Sequence, residues 1–160
     1  MRVLVILIAL VCTNAHAATR VYLMRGLGGA FISTSMDQIG KKLPGTVMVG
    51  DWTDGPLFAA DAILHPHDRI VLVGHSMGAK AAADTARTLK ASGIHARVIG
   101  VDPLFSGANC TGISDCICFW GQGHSMPGAR NVYIASTYGH IGYALDPHVQ
   151  KRIIAAITSP

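Results

Sequence analysis

Apolar runs and amphipathic stretches alternate along the chain, and their spacing predicts a regular succession of strands and helices. Arg20 to Met24 reads as a first strand, Thr46 to Val49 as a second and Arg69 to Val73 as a third. The third run has no polar residue after its first position, the pattern of a strand covered on both faces. Arg97 to Val101 and Asn131 to Ala135 read as two more strands. Helical stretches fall between them. Ser35 and Gln38 stand as a capping box for a short helix ending near Leu43, before Pro44, and Pro56 to Leu64 follows. The alanine-rich Ala79 to Lys90 stops at Gly93, and Pro147 to Ile157 closes the chain.

This alternation predicts one α/β domain: a doubly wound, mainly parallel five-stranded sheet with helices on both faces. Right-handed crossovers give the strand order 2-1-3-4-5. Residues 104–130 interrupt the pattern as a loop too long to be a mere connection, so a functional loop is expected there.

The first residues change the picture of the mature domain. Arg2 precedes the apolar run Val3 to Cys12, and Ala15-His16-Ala17 has the small residues of a cleavage site. Together they predict a signal peptide over residues 1–17, a domain over residues 18–160 and export to the periplasm or beyond. The run is too short for a stable membrane anchor. With Cys12 set aside, Cys110, Cys116 and Cys118 remain in the long loop. One disulfide is expected in an oxidising compartment, with Cys110 paired to Cys116 or Cys118, because Cys116 and Cys118 would close too small a ring.

Half the residues are hydrophobic, 14% are charged and the formal net charge is +4. No basic block accompanies that modest charge, so nucleic acid is not an expected partner. No cofactor is implied, and the cysteine cluster lacks a histidine at metal-ligand spacing. His65-Pro66-His67-Asp68 resembles a metal cluster in composition only. It precedes a strand, which places it in a solvated turn at the end of the sheet away from any chemistry.

The chemistry gathers around Gly74-His75-Ser76-Met77-Gly78, set between the all-apolar third strand and a clean helix. A serine there projects from a strained strand-to-helix turn, and glycines on both sides remove side chains that would clash. The helix that follows aims its N-terminal amides at the same spot. Such a serine needs a base, and the base a carboxylate. Catalytic groups in open α/β sheets collect at the carboxyl ends of strands. Asp102 directly follows the fourth strand and His140 follows the fifth, so these are the expected acid and base. His124 in the long loop is the rival base and Asp146 the rival acid, although Asp146 also suits a cap on the last helix. Asp51 and Asp54 follow the second strand, on the far side of the sheet. His75 is expected to pack, and His148 to face solvent.

These features resemble the α/β-hydrolase superfamily, in particular small lipases, esterases and thioesterases. Gly74 to Gly78 is similar to their nucleophile elbow, and the order Ser76, Asp102, His140 matches theirs. The resemblance implies hydrolysis of a small-molecule or lipid-like acyl ester or thioester. It also implies an oxyanion hole formed by the amides of Met77 and of Leu27, in Arg25-Gly26-Leu27-Gly28-Gly29. Arg25 stands where the family often has histidine. An amidase or peptidase, or an exported binding protein that keeps the fold without catalysis, are the competing classes.

Overall fold

A computed structural model describes residues 18–104 and 107–160. The expected leader, residues 1–17, lies outside them, as does Phe105. The described chain forms a sheet of six strands, all parallel, in the order β2-β1-β3-β4-β5-β6. The strands are β1 (Thr19–Arg25), β2 (Thr46–Asp51), β3 (Arg69–His75), β4 (Ala96–Val101), β5 (Cys116–Trp120) and β6 (Arg130–Tyr133).

Six strands replace the expected five because residues 104–130 are not only a loop. Cys116–Trp120 pairs with β4 on one side and β6 on the other, Gly100 lying against Cys118 and Phe119 against Val132. Its first four residues are buried, and its cysteines serve there as small hydrophobic residues. Covered in this way, the strand shows none of the alternation that marks a half-exposed one.

The pleat sends successive side chains to opposite faces. Tyr22, Met24, Ile70, Leu72 and Val98 pack with α3 (Gly55–Ile63) and α4 (Met77–Ala91). Val21, Leu23, Val71, Val73, Ile99 and Val101 pack with α2 (Ser35–Gly40) and α6 (Pro147–Thr158). Two one-turn helices, α1 (Gly29–Ile32) and α5 (Gly139–Gly142), lie in the loops after β1 and β6. Ala79, Ala82, Ala83 and Ala86 give α4 a small-residue stripe, all within 4% exposure, that lets it lie close on the sheet.

The capping box expected at Ser35 does not form. Thr34 occupies the N-cap without a side-chain bond, and Ser35 enters the first turn. Its buried hydroxyl has no partner among the described residues. Burial of Met36 and Ile39 holds α2 in place instead. At the other end of the chain Asp146 accepts from the His148 amide (2.9 Å) and caps α6.

The crossover from β4 to β5 is stapled by a Cys110–Cys116 disulfide, and Cys118 is free and buried. A six-residue separation closes a small loop, worth about 2 kcal/mol in the chain-entropy account. Replacing both Cys110 and Cys116 by alanine should lower the urea-unfolding free energy by about that amount. A midpoint that is the same for the variant and the oxidised protein would show that the staple contributes nothing.

Candidate active site

β2 and β3 flank β1 on opposite sides, so the chain leaves β1 and β3 in opposite directions and opens a crevice at their carboxyl ends. Ser76 stands there, the single residue between β3 and α4. Its backbone has φ 56° and ψ −118°, a conformation that costs a non-glycine residue about 1–3 kcal/mol. The flanking glycines make the turn possible. A Cβ on Gly74 would fall 1.9 Å from the Gly78 carbonyl oxygen, and one on Gly78 2.3 Å from that of Met24. Gly26 brings the loop after β1 against the serine, where an added Cβ would lie 2.8 Å from Ser76 Cβ. The Leu27 peptide follows this closest approach. Met77 opens α4, so its N–H has no acceptor within the helix.

The structure brings Ser76, His140 and Asp102 into one hydrogen-bonded chain. His140 Nε2 lies 3.0 Å from Ser76 Oγ, and His140 Nδ1 lies 2.8 Å from Asp102 Oδ2. A carboxylate only accepts, so Nδ1 carries the proton and Nε2 offers its lone pair to the serine hydroxyl. Asp102 is fully buried. Its other oxygen, Oδ1, accepts from the amides of Gly121 (2.9 Å), Gln122 (3.0 Å) and Gly123 (2.8 Å). Burial alone would raise this carboxyl. Hydrogen bonds from His140, Gly123, Gly121 and Gln122 outweigh it and hold Asp102 below the usual carboxylate range.

The three amides belong to the turn after β5, absent from the sequence reading along with its strand. A signal was present: an apolar run, Cys116 to Trp120, ends in Gly121-Gln122-Gly123. Gly123 is needed for space, since a Cβ there would sit 2.3 Å from the Pro103 carbonyl oxygen.

His75 does more than pack. Its Nε2 lies 3.0 Å from the His140 carbonyl oxygen and its Nδ1 3.0 Å from Ser33 Oγ, while the two imidazoles stack at 4.9 Å. A carbonyl only accepts, so His75 Nε2–H donates to it, and Nδ1 accepts from the Ser33 hydroxyl. The Ser33 oxygen in turn accepts from the Gly26 amide at 3.1 Å. The loop after β1 is thereby tied to the backbone of His140 through two buried side chains. Arg25 anchors the same loop from its other end. It donates to both oxygens of Asp37 (2.8 and 2.5 Å) and to Asp51 at 3.1 Å. Asp51, expected far from the site, therefore helps to hold this loop.

The remaining expected residues lie elsewhere. His124 is exposed and its amide donates to Pro103, while His148 is exposed on α6. His65 to Asp68 form a turn in which Asp68 pairs with Arg20. Among the described residues no group of three or more His, Cys, Asp or Glu side chains is placed to hold a metal ion. Burial pushes the Cys118 thiol up to about 12, which keeps it protonated. Of the described part of 104–130, Leu104 lines a hollow at Ser76. The disulfide itself packs with the α4-side core.

The chain matches no family model and no curated protein. Several solved structures resemble it. A Xanthomonas campestris pv. campestris protein of the α/β-hydrolase superfamily aligns with TM-score 0.55 and 16% identity over 88% of this chain and 95% of its own. Human thioesterase 2 aligns with TM-score 0.61 and 15% identity over 88% of this chain and 96% of its own. At these identities the likeness establishes the fold, that of the α/β hydrolases.

Burial, then the neighbouring His140, depresses His75 to about 4 from an ordinary value near 6.5. The unfolded chain therefore takes up this proton first. The contribution of neutral His75 is complete above about pH 6.5 and is lost as pH falls toward 4, by about 3 kcal/mol in total. Urea unfolding between pH 7 and 4 should show this loss, and His75→Gln should flatten it. An equal acid slope in that variant would contradict the assignment.

Proposed function

We propose that this protein is a serine hydrolase that cleaves a carboxylic ester or thioester through an acyl-enzyme on Ser76. The observation that carries the reading is the chain Ser76 Oγ, His140 Nε2, His140 Nδ1, Asp102 Oδ2, with spacings of 3.0 and 2.8 Å. As Ser76 Oγ attacks the carbonyl carbon, its proton passes to His140 Nε2. Asp102 keeps the ring oriented and stabilises the imidazolium without taking its proton. The amides of Met77 and Leu27 receive the developing oxyanion. Collapse of the tetrahedral intermediate breaks the bond to the alcohol or thiol, which leaves with the proton from Nε2. Water repeats the sequence, His140 taking its proton, and releases the carboxylic acid and free Ser76.

Neither step calls on a cofactor. The leader-like residues 1–17 would direct the enzyme out of the cytoplasm into an oxidising compartment, in which a disulfide such as Cys110–Cys116 persists.

A fluorophosphonate should label Ser76, and peptide mass spectrometry locates the adduct. Ser76→Ala and His140→Ala should each lower p-nitrophenyl ester hydrolysis by about 10⁶, because members of such a unit act together. Asp102→Asn should cost about 10⁴ by holding the wrong tautomer. His124→Ala should have little effect. A folded protein that neither reacts with the phosphonate nor turns over any ester or acyl thioester would instead be a binding protein on a hydrolase fold. Turnover confined to amides would make it an amidase.

A further inference from the structure

Ser76 sits where two hollows meet. The smaller, about 240 Å³, is lined by Leu27, Leu104, His140 and Ile141 among others. The larger, about 690 Å³, lies between α3 and α4, with Trp52, Pro56, Ala60 and Ile63 on one side and Met77 to Thr88 on the other. Resting on the serine-hydrolase reading above, we propose that the larger groove seats the acyl chain and the smaller hollow the leaving group. The substrate class is then an ester or thioester of a straight acyl chain of about eight to twelve carbons.

The direction of proton transfer separates the two sites. His140 must protonate the leaving atom, so the leaving group lies on the side that His140 lines. The acyl portion remains bonded to Ser76 and extends away from that side, into the groove that Ser76 and Met77 open and His140 does not line. Length sets the chain. The α4 wall runs from Met77 to Thr88, about 16 Å at the helical rise, which an extended chain of C–C bonds of about 1.5 Å fills with about a dozen carbons. The lining sets its character. Alanine, proline, isoleucine and tryptophan dominate the α3 wall, while the α4 wall adds Met77 and Ala81 beside an exposed Lys80–Asp84 pair and the threonines Thr85 and Thr88. The α3 wall offers a methylene chain apolar contact along its length, and the polar groups stand on the opposite wall, where Lys80 and Asp84 satisfy each other.

The test measures kcat/KM for p-nitrophenyl esters from acetate to laurate. Because the groove is open on one side, each added methylene should raise the value about two-fold, roughly half the effect of full burial in logarithmic terms. Ala60→Phe, which narrows the groove, and Ile63→Glu, which places a charge in it, should each lower the laurate-to-acetate ratio at least about ten-fold. A second measurement needs no turnover. Laurate titrated into Ser76→Ala should change the fluorescence of Trp52 saturably, with Trp52→Phe removing the signal and added Ala60→Phe weakening binding about ten-fold. A flat chain-length profile in protein that hydrolyses acetate, or a slope that neither variant alters, overturns the groove assignment and leaves the hydrolase reading intact. Absence of both ester turnover and phosphonate labelling overturns the hydrolase reading. The laurate titration then decides the groove alone: saturable binding weakened by Ala60→Phe keeps it as an acyl-chain site, and no binding removes it.

Discussion

A carboxylate taken wholly out of water must be matched by donors, and Asp102 imposes that requirement on half of the sheet. Leaving such a buried charge unpaired costs about 3–5 kcal/mol, a large share of the 5–15 kcal/mol that holds a domain folded. Four donors meet the demand, and none belongs to the strand that carries the residue. Three are amides of the turn after β5, and the fourth is the imidazole that follows β6. β5 must therefore lie against β4 with its turn folded over Pro103, and the chain after β6 must return across the carboxyl edge. The Asp102 amide donates to the Phe119 carbonyl at 2.7 Å, so the same residue also joins β4 to β5 through its backbone.

The opposite side of the crevice is built from close backbone approach. Gly26, Gly74 and Gly78 let three stretches of main chain meet around Ser76 with no room for a side chain. The loop that carries Leu27 is then held twice, by Arg25 to Asp37 and Asp51, and by Gly26 through Ser33 and His75 to the His140 carbonyl. Groups held in this way need little rearrangement when charge develops, which is where fixed dipoles act most strongly. His75 can accept from Ser33 only while neutral, so the burial that lowers its pKa also preserves the tie between the loop and the histidine backbone.

Much of this was legible in the residues. Buried parallel strands are nearly continuous apolar runs, and β1, β3 and β4 stood out as such. Glycines around Ser76 announced a turn, and Asp102 and His140 could be placed because each follows a strand. β5 is hidden for a physical reason: a cysteine's redox chemistry marks a loop staple as readily as its size suits a buried strand, and Cys116 and Cys118 are buried in one. With that strand went the turn that binds Asp102, since backbone amides leave no mark in sequence beyond the glycines that give them room. The partners of His75 were hidden differently. Ser33 is 42 positions away from it and His140 is 65, and no local pattern links them. Ser35 misled because a capping box is a local signal, and here the burial of Met36 and Ile39 decided where the helix began.

The turn after β5 fixes Asp102 so that His140 keeps its proton on Nδ1 and its lone pair toward Ser76. ¹⁵N-histidine NMR of the folded protein at neutral pH reads this tautomer directly. The account predicts a neutral His140 protonated at Nδ1, with that proton shifted strongly downfield by its hydrogen bond and the downfield resonance lost in Asp102→Asn. A neutral His140 protonated at Nε2, or an Nδ1 proton unaffected by Asp102→Asn, would contradict it.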